Sequence, residues 1–415
     1  MISLKTYKRS IKLLTVISLV SMTLGGCSDK TDSDNSDDSI SHTEYLTNTH
    51  NCDIYKKGLT LHANGQSHGK ITFSNWTENG SPAIFNCFSK LTGIHIVNSY
   101  FTDNDMLMTK ITSGGSSGYD VIVPELNYVQ NEIKAGALEK LDKSKLPNYQ
   151  YINKAVYKKM AELDPGNQYV LAYSYGTIGI GYNAKLVKKY LGDHVKIDDW
   201  NILFNPKYLK KLHRCGVALI DSPEYVFAAT LEYLGKNPHS KNPQDYREAT
   251  DYLVKNVRPY LTYIDTNLYE NDLASGNLCL SMGYSGDILR ANHIGQSANP
   301  NLDVRYVLPK SGAPIWFDTL AIPKGAPNLE NAYVFLNYML NPRVNATNSN
   351  FLFQPNGVNG SEPYMRKELA SSDISPTDEM IKKLYIVPLP SGKLKDEISR
   401  DWFAVKYGVE LEDNK

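Results

Sequence analysis

The sequence has no surplus charge of either sign: 44 lysines and arginines balance 44 aspartates and glutamates over 415 residues. That balance argues against a broad basic groove for nucleic acid or a broad basic face for a membrane. Cysteine is scarce, with five in the chain and no Cys-x-x-Cys. The nine histidines show no metal-ligand spacing, so no metal site and no cofactor are expected. Nucleotide loops are missing as well. Gly176-Thr-Ile-Gly-Ile-Gly181 has the wrong spacing for a dinucleotide loop, and no P-loop or His-Glu-x-x-His occurs. Gly114-Gly-Ser116-Ser-Gly118 formally matches a nucleophile elbow, which needs a strand before the serine and a helix after it. Here the order is reversed, so the segment reads as a helix-to-strand turn and a hydrolase acting through Ser116 is not expected. Internal repeats and a second membrane segment are also lacking.

What is present begins with an address. Lys5, Lys8, Arg9 and Lys12 precede the apolar run Leu13 to Leu24, the layout of a secretory signal too short to span a membrane. It ends in Leu24-Gly25-Gly26-Cys27, which resembles a bacterial lipobox; residues 1–26 are read as the signal peptide and Cys27 as the lipid anchor. Their removal takes away four basic residues and no acidic one, leaving 40 against 44. Residues 28–50 are polar and acidic and cannot bury enough surface to offset chain entropy, so 27–69 reads as a tether and N-terminal extension. The expected location is the periplasm or the extracellular face, with contact to a bacterial membrane through the lipid only.

From Lys70 onward, short apolar runs alternate with amphipathic stretches. Strands are expected at 71–75, 94–97, 119–123, 169–173, 177–182, 216–220, 277–283, 303–308 and 316–322. Helices are expected from Pro82, capped by Ser81, and near 104–113, 127–136, 184–191, 223–235, 243–257, 267–275 and 328–341. This is an α/β pattern of mixed, mainly parallel sheets flanked by helices. Ligands in such sheets sit beyond the carboxyl ends of strands. Those positions hold Trp76, Thr77 and Glu78, then Glu125, then Tyr284 and Asp287, and Trp316 and Asp318 at another crossing. Taken singly, each is as well explained by packing or a helix cap. Together they bring carboxylates and aromatic rings to one region. Carboxylates offset the desolvation of an ammonium group, and aromatic faces attract cations by ~0.5–2 kcal/mol each.

With these residues assembled, the chain from about Lys70 to Gly408 resembles the polyamine-binding proteins of bacterial ABC importers, the putrescine-binding members most of all. The resemblance is carried by Ile71-Thr-Phe-Ser-Asn-Trp-Thr-Glu78, Gly118-Tyr-Asp-Val-Ile-Val-Pro124 and Leu141-Asp-Lys-Ser-Lys-Leu-Pro147. Thr177-Ile-Gly-Ile-Gly-Tyr-Asn183, Cys215-Gly-Val, Val226-Phe-Ala, Asn271-Asp-Leu-Ala-Ser-Gly-Asn-Leu-Cys279, Gly286-Asp287 and Phe317-Asp318 continue it. It implies a two-lobe clamshell of the type II periplasmic-binding kind with several hinge crossings. Lobe one would comprise 70–172 plus 318–362, and lobe two 173–317 plus 363–415. It further implies a monomer that binds putrescine or a related polyamine, delivers it to a permease driven by an ATPase, and catalyses nothing. Trp76, Tyr284 and Trp316 would wall the amine box, Asp287 and Asp318 would take one ammonium, and Thr77 and Glu78 would hold the ligand from the other lobe. A Cys215–Cys279 disulfide is implied too.

The chain departs from that pattern at several positions. A distal acid falls on Tyr225, a serine falls on Glu125, and an aromatic falls near Gln354. Glu125, with Glu224 as the alternative, is expected to take over the second ammonium. Cys52 and Cys87 have no counterpart; Cys87 lies on an apolar helix face and reads as a buried thiol, the alternative being a bridge from Cys52. Two rival functions remain open on sequence: an importer component for another cationic solute (spermidine, agmatine or a basic amino acid), and a polyamine sensor acting on a membrane signalling protein.

Overall fold

The structure, a computed structural model, describes residues 51–59, 68–113 and 116–410. The expected signal peptide over 1–26, Cys27, most of the tether and Gly114–Gly115 lie outside the described residues.

Nine strands build the sheet: β1 (Gly69–Trp76), β2 (Ile94–Phe101), β3 (Val121–Ile122), β4 (Val170–Asn183), β5 (Val217–Leu219), β6 (Tyr263–Ile264), β7 (Leu280–Tyr284), β8 (Val304–Val307) and β9 (Ile315–Ala321). Their order is β2-β1-β3-β9-β4-β7-β5-β6, with β8 also on β4. The two ends of this path, β2-β1-β3 and β7-β5-β6, are parallel. In its middle, β9 and β4 run antiparallel to each other and to their neighbours.

β4 differs from the sequence expectation of two strands at 169–173 and 177–182. It is one continuous strand of 14 residues. The polar break that suggested two strands is a register irregularity between Ala172 and Ser174, which leaves the ladder intact on either side. Residues Val170 to Thr177 pair with β9, and Ile178 to Asn183 pair with β7 and β8. The strand therefore passes from the central β9 to the edge of the β7-β5-β6 group.

The helices that matter for the site are α1 (Pro82–Thr92), α2 (Asn104–Thr112), α3 (Leu126–Lys134), α4 (Pro223–Tyr233), α5 (Tyr269–Ser275), α6 (Ser285–Ala298), α7 (Leu329–Met339), α8 (Pro342–Leu352) and α9 (Lys393–Tyr407). Local chemistry sets their ends. Pro82 occupies the first turn of α1, and Gly93 closes it at φ 73°, a left-handed angle that glycine adopts without steric cost. The Asp103 carboxylate accepts from the Met106 amide at 2.7 Å and caps α2.

Each parallel group has its own aromatic packing. Around β1, Phe73 and Phe88 meet Phe335 at ring separations of 5.0 and 5.1 Å. Around β5, Phe227 packs on Trp402 at 5.8 Å, and Trp200 packs on Phe204 at 5.8 Å.

The expected Cys215–Cys279 bridge is present and joins the approach to β5 to the start of β7. Cys52 and Cys87 are also bridged, where a free buried thiol was expected. The apolar face of α1 was legible, but the docking of residues 52–59 onto it was not. That segment is further held by the Asn341 side chain, which donates to the Lys57 carbonyl at 2.6 Å, and by the Asn337 side chain, which donates to the Gly58 carbonyl at 2.8 Å.

Candidate functional site

Trp76 ends β1, Glu125 follows β3, and Tyr284 ends β7, so the carboxyl ends of three strands converge. Asp287 lies in the first turn of α6, Tyr225 in the first turn of α4, and Trp316 and Asp318 on β9. These seven residues and Gln354 line one cavity of about 270 Å³. That is close to the small end of the ~300–1,000 Å³ usual for ligand pockets.

The aromatic wall is continuous. Tyr225 stands edge-on to Tyr284 at 6.2 Å, and Tyr284 stands edge-on to Trp316 at 6.0 Å. Trp76 closes another side and rests on Phe101 at 4.5 Å. Gly176 on β4 makes room for the Trp316 indole: a Cβ there would lie 2.6 Å from the ring. The Gly176–Gly181 segment that fails as a dinucleotide loop is thus a strand whose missing side chains admit aromatic rings, Tyr306 at Gly179 being the second.

The acids are not alike. Asp287 is already neutralised in part: Tyr269 donates to its Oδ2 at 2.5 Å, and Arg290 donates to its Oδ1 at 3.0 Å. Arg290 also grips Glu270 through two bonds of 2.7 and 2.6 Å. Burial raises the Asp287 pKa, and the Arg290 charge opposes the rise.

Asp318 is 9% exposed and accepts from Asn79 Nδ2 at 3.0 Å. Burial lifts its pKa to about 7 against the Asn79 bond. The Trp76 indole N–H, near enough to oppose the rise, falls short of hydrogen-bond geometry. Glu125 pairs with Asp318 through a backbone bridge, which sets two acids side by side. Its Oε1 accepts from the Tyr225 hydroxyl at 2.6 Å. Burial lifts its pKa to about 8; the Tyr225 bond lowers it, and the charges of Asp318 and Glu224 raise it. Neither Glu125 nor Asp318 has a cationic partner among the described residues. The buried Oε1 of Gln354 has no hydrogen-bond partner among them either.

Two expected site residues fall outside this lining. Thr77 and Glu78 are exposed. After Trp76 the chain turns, the Asn79 amide donating back to the Trp76 carbonyl, and Glu78 takes a left-handed φ of 56°. The turn carries Thr77 and Glu78 to the surface and brings Asn79 inward in their place. Glu224 also stays off the lining, where the Ser222 hydroxyl bonds it at 2.7 Å. Sequence reasoning missed Asn79, Tyr269 and Arg290, all of which act through an acid; Arg290, three residues after Asp287 on a helix, carried the one usable signal. Among the described residues, no cluster of histidine, cysteine or acidic side chains is placed to hold a metal.

A family profile described as bacterial extracellular solute-binding protein matches residues 83–357. The chain belongs to that family. It is 39% identical to the putrescine-binding periplasmic protein SpuD of Pseudomonas aeruginosa, over 80% of this chain and 91% of that one. To the putrescine-binding periplasmic protein PotF of Escherichia coli it is 37% identical, over 80% and 90%. The crystal structure of PotD, a spermidine/putrescine ABC transporter substrate-binding protein from Streptococcus pneumoniae, superposes with a TM-score of 0.71 at 25% identity. That match covers 83% of this chain and 100% of PotD. Among the described residues, no helix is long and apolar enough to cross a membrane.

Proposed function

We propose that this solute-binding protein captures putrescine or a related aliphatic polyamine and delivers it to a membrane permease driven by an ATPase. The observation that carries the reading is the cavity. Three carboxylates and four aromatic rings line it, and two of the acids lack any cation among the described residues. An ammonium supplies that cation, and the methylenes between ammonium groups pack on the rings. In this reading one ammonium sits against Asp287 and Asp318, and the second is held by Glu125. Trp76, Tyr284 and Trp316 hold the chain between them.

The two strand groups joined through β4 and β9 support a clamshell. Its lobes are 70–172 plus 318–362, and 173–317 plus 363–415. The amine bridges both lobes, and its preference for the closed form shifts the population toward closure. The chain performs no chemistry on its guest, acts as a monomer, and is held at the membrane by lipid on Cys27. A second reading, capture of another cationic solute such as agmatine, spermidine or a basic amino acid, is favoured by a specific observation. A phenol and a carboxamide, Tyr225 and Gln354, stand on the lining.

A thermal-shift screen of diamines, polyamines and basic amino acids tests both readings. The melting temperature rises most with putrescine or another short diamine on the first, and with spermidine, agmatine or a basic amino acid on the second. A flat response to every cationic solute refutes both.

A further inference from the structure

We infer that Tyr225 and Glu125 form a latch, a hydrogen bond between protein groups that closes the cleft from within and positions Glu125 for the ligand. The inference rests on the clamshell reading above but concerns how closure is held.

The two residues are 100 positions apart, and their elements belong to opposite strand groups. Tyr225 rises from the first turn of α4, which follows β5. Glu125 lies between β3 and α3. It occupies the cap position of α3 yet makes no side-chain cap bond. Its carboxyl instead reaches across the cavity to accept from the Tyr225 hydroxyl at 2.6 Å, a short O–H···O bond.

The donor is held ready. Tyr225 is 4% exposed, and its ring is fixed edge-on to Tyr284, so the phenol loses little freedom in making the bond. Only Oε1 is engaged by Tyr225, and among the described residues Oε2 has no partner. One oxygen thus serves closure while the other faces the guest. Tyr225 is a positioning residue: it acts on the amine through Glu125.

The bond contributes to the closed form whether or not a ligand is bound. Part of the closure free energy is then internal, and the amine supplies the rest. Loss of one such hydrogen bond shifts the equilibrium about two- to tenfold.

Small-angle scattering of the mature chain, with and without putrescine, tests this. Tyr225→Phe keeps the ring and its contact with Tyr284 but removes the donor. The ligand-free variant should have a larger radius of gyration than the parent, contract to the parent's value at saturating putrescine, and bind it about two- to tenfold more weakly. Exchanging the pair, Glu125→Tyr with Tyr225→Glu, should restore the ligand-free radius, which a merely packed tyrosine would not. Should Tyr225→Phe fold poorly, Glu125→Ala breaks the same bond from the other side. A ligand-free radius unchanged in these single variants overturns the latch. Absence of saturable heat with any amine in calorimetry of the parent instead refutes the solute-binding reading, because the latch is judged on the ligand-free radii alone.

Discussion

Three acids share the cavity, and their partners give each a different task. Asp287 is braced by Tyr269 and Arg290, which hold it still at the cost of part of its charge. Asp318 and Glu125 have no such counter-charge among the described residues, and burial holds their pKa values at about 7 and about 8. Below those values the two carboxyls carry protons that an entering ammonium must displace. An aliphatic ammonium of the lysine type (~10.4) stays charged throughout this range. Putrescine affinity should therefore rise from pH 6 to pH 8.5. Calorimetry near pH 7 in buffers of different ionisation enthalpy should show proton release, and an affinity that is flat with pH would speak against it. Glu125→Gln keeps an acceptor for Tyr225 while removing the charge. It should weaken putrescine by roughly 10- to 100-fold and a monoamine far less; equal losses would place Glu125 away from the second ammonium. Trp76 and Asp287 were legible in the sequence because they stand at or just after strand ends, where ligand groups collect, and Trp316, near the start of β9, because it stands beside Asp318 at a crossing. Asn79 and Tyr269 were not, because each reaches an acid through a turn or a neighbouring helix that no spacing rule foretells. Thr77 and Glu78 stay off the lining for a similar reason: one left-handed residue after β1 exchanges which side chains face inward.

At the level of elements, β4 pairs with β9 along its first half and with β7 and β8 along its second, and its glycines decide what packs on it. Gly176→Ala should drive a methyl into the Trp316 indole, loosen that wall and weaken putrescine several-fold. A structure or titration showing Trp316 undisturbed would remove Gly176 from the account. The helix starts were readable from caps and prolines, and most strands from apolar runs. The continuity of β4 was not, since an irregularity in register looks like a break when no partner strand is visible. Cysteines posed the same difficulty: spacing cannot pair them. The Cys52–Cys87 bridge closes a span of 35 residues. It should stabilise the fold by ~4 kcal/mol on the loop-entropy model. Cys52→Ser with Cys87→Ser should lower the melting temperature yet leave putrescine affinity unchanged, because the bridge fastens the N-terminal segment to α1 on the side of the β1 group and lines no part of the cavity. A changed affinity would show that the segment reaches the site.

For the whole molecule, the arrangement is two parallel strand groups joined through a pair of antiparallel strands, with the acids and rings drawn from both groups. No single element contains the site; it exists only where the carboxyl ends of β1, β3 and β7 meet β9. The fold class was legible because alternating strands and helices admit few architectures, and the family resemblance narrowed them further. What the whole adds is the sharing of charge between groups: Glu125 from one and Asp287 from the other, with Asp318 on the strand between them. The claim that this shared charge holds a cationic aliphatic guest is tested most directly by calorimetric titration of putrescine into the mature chain and into its Asp318→Asn variant. The account predicts saturable one-to-one binding to the parent and a loss of at least tenfold in the variant. An equal affinity in the two proteins, or no saturable heat with the parent, would contradict it.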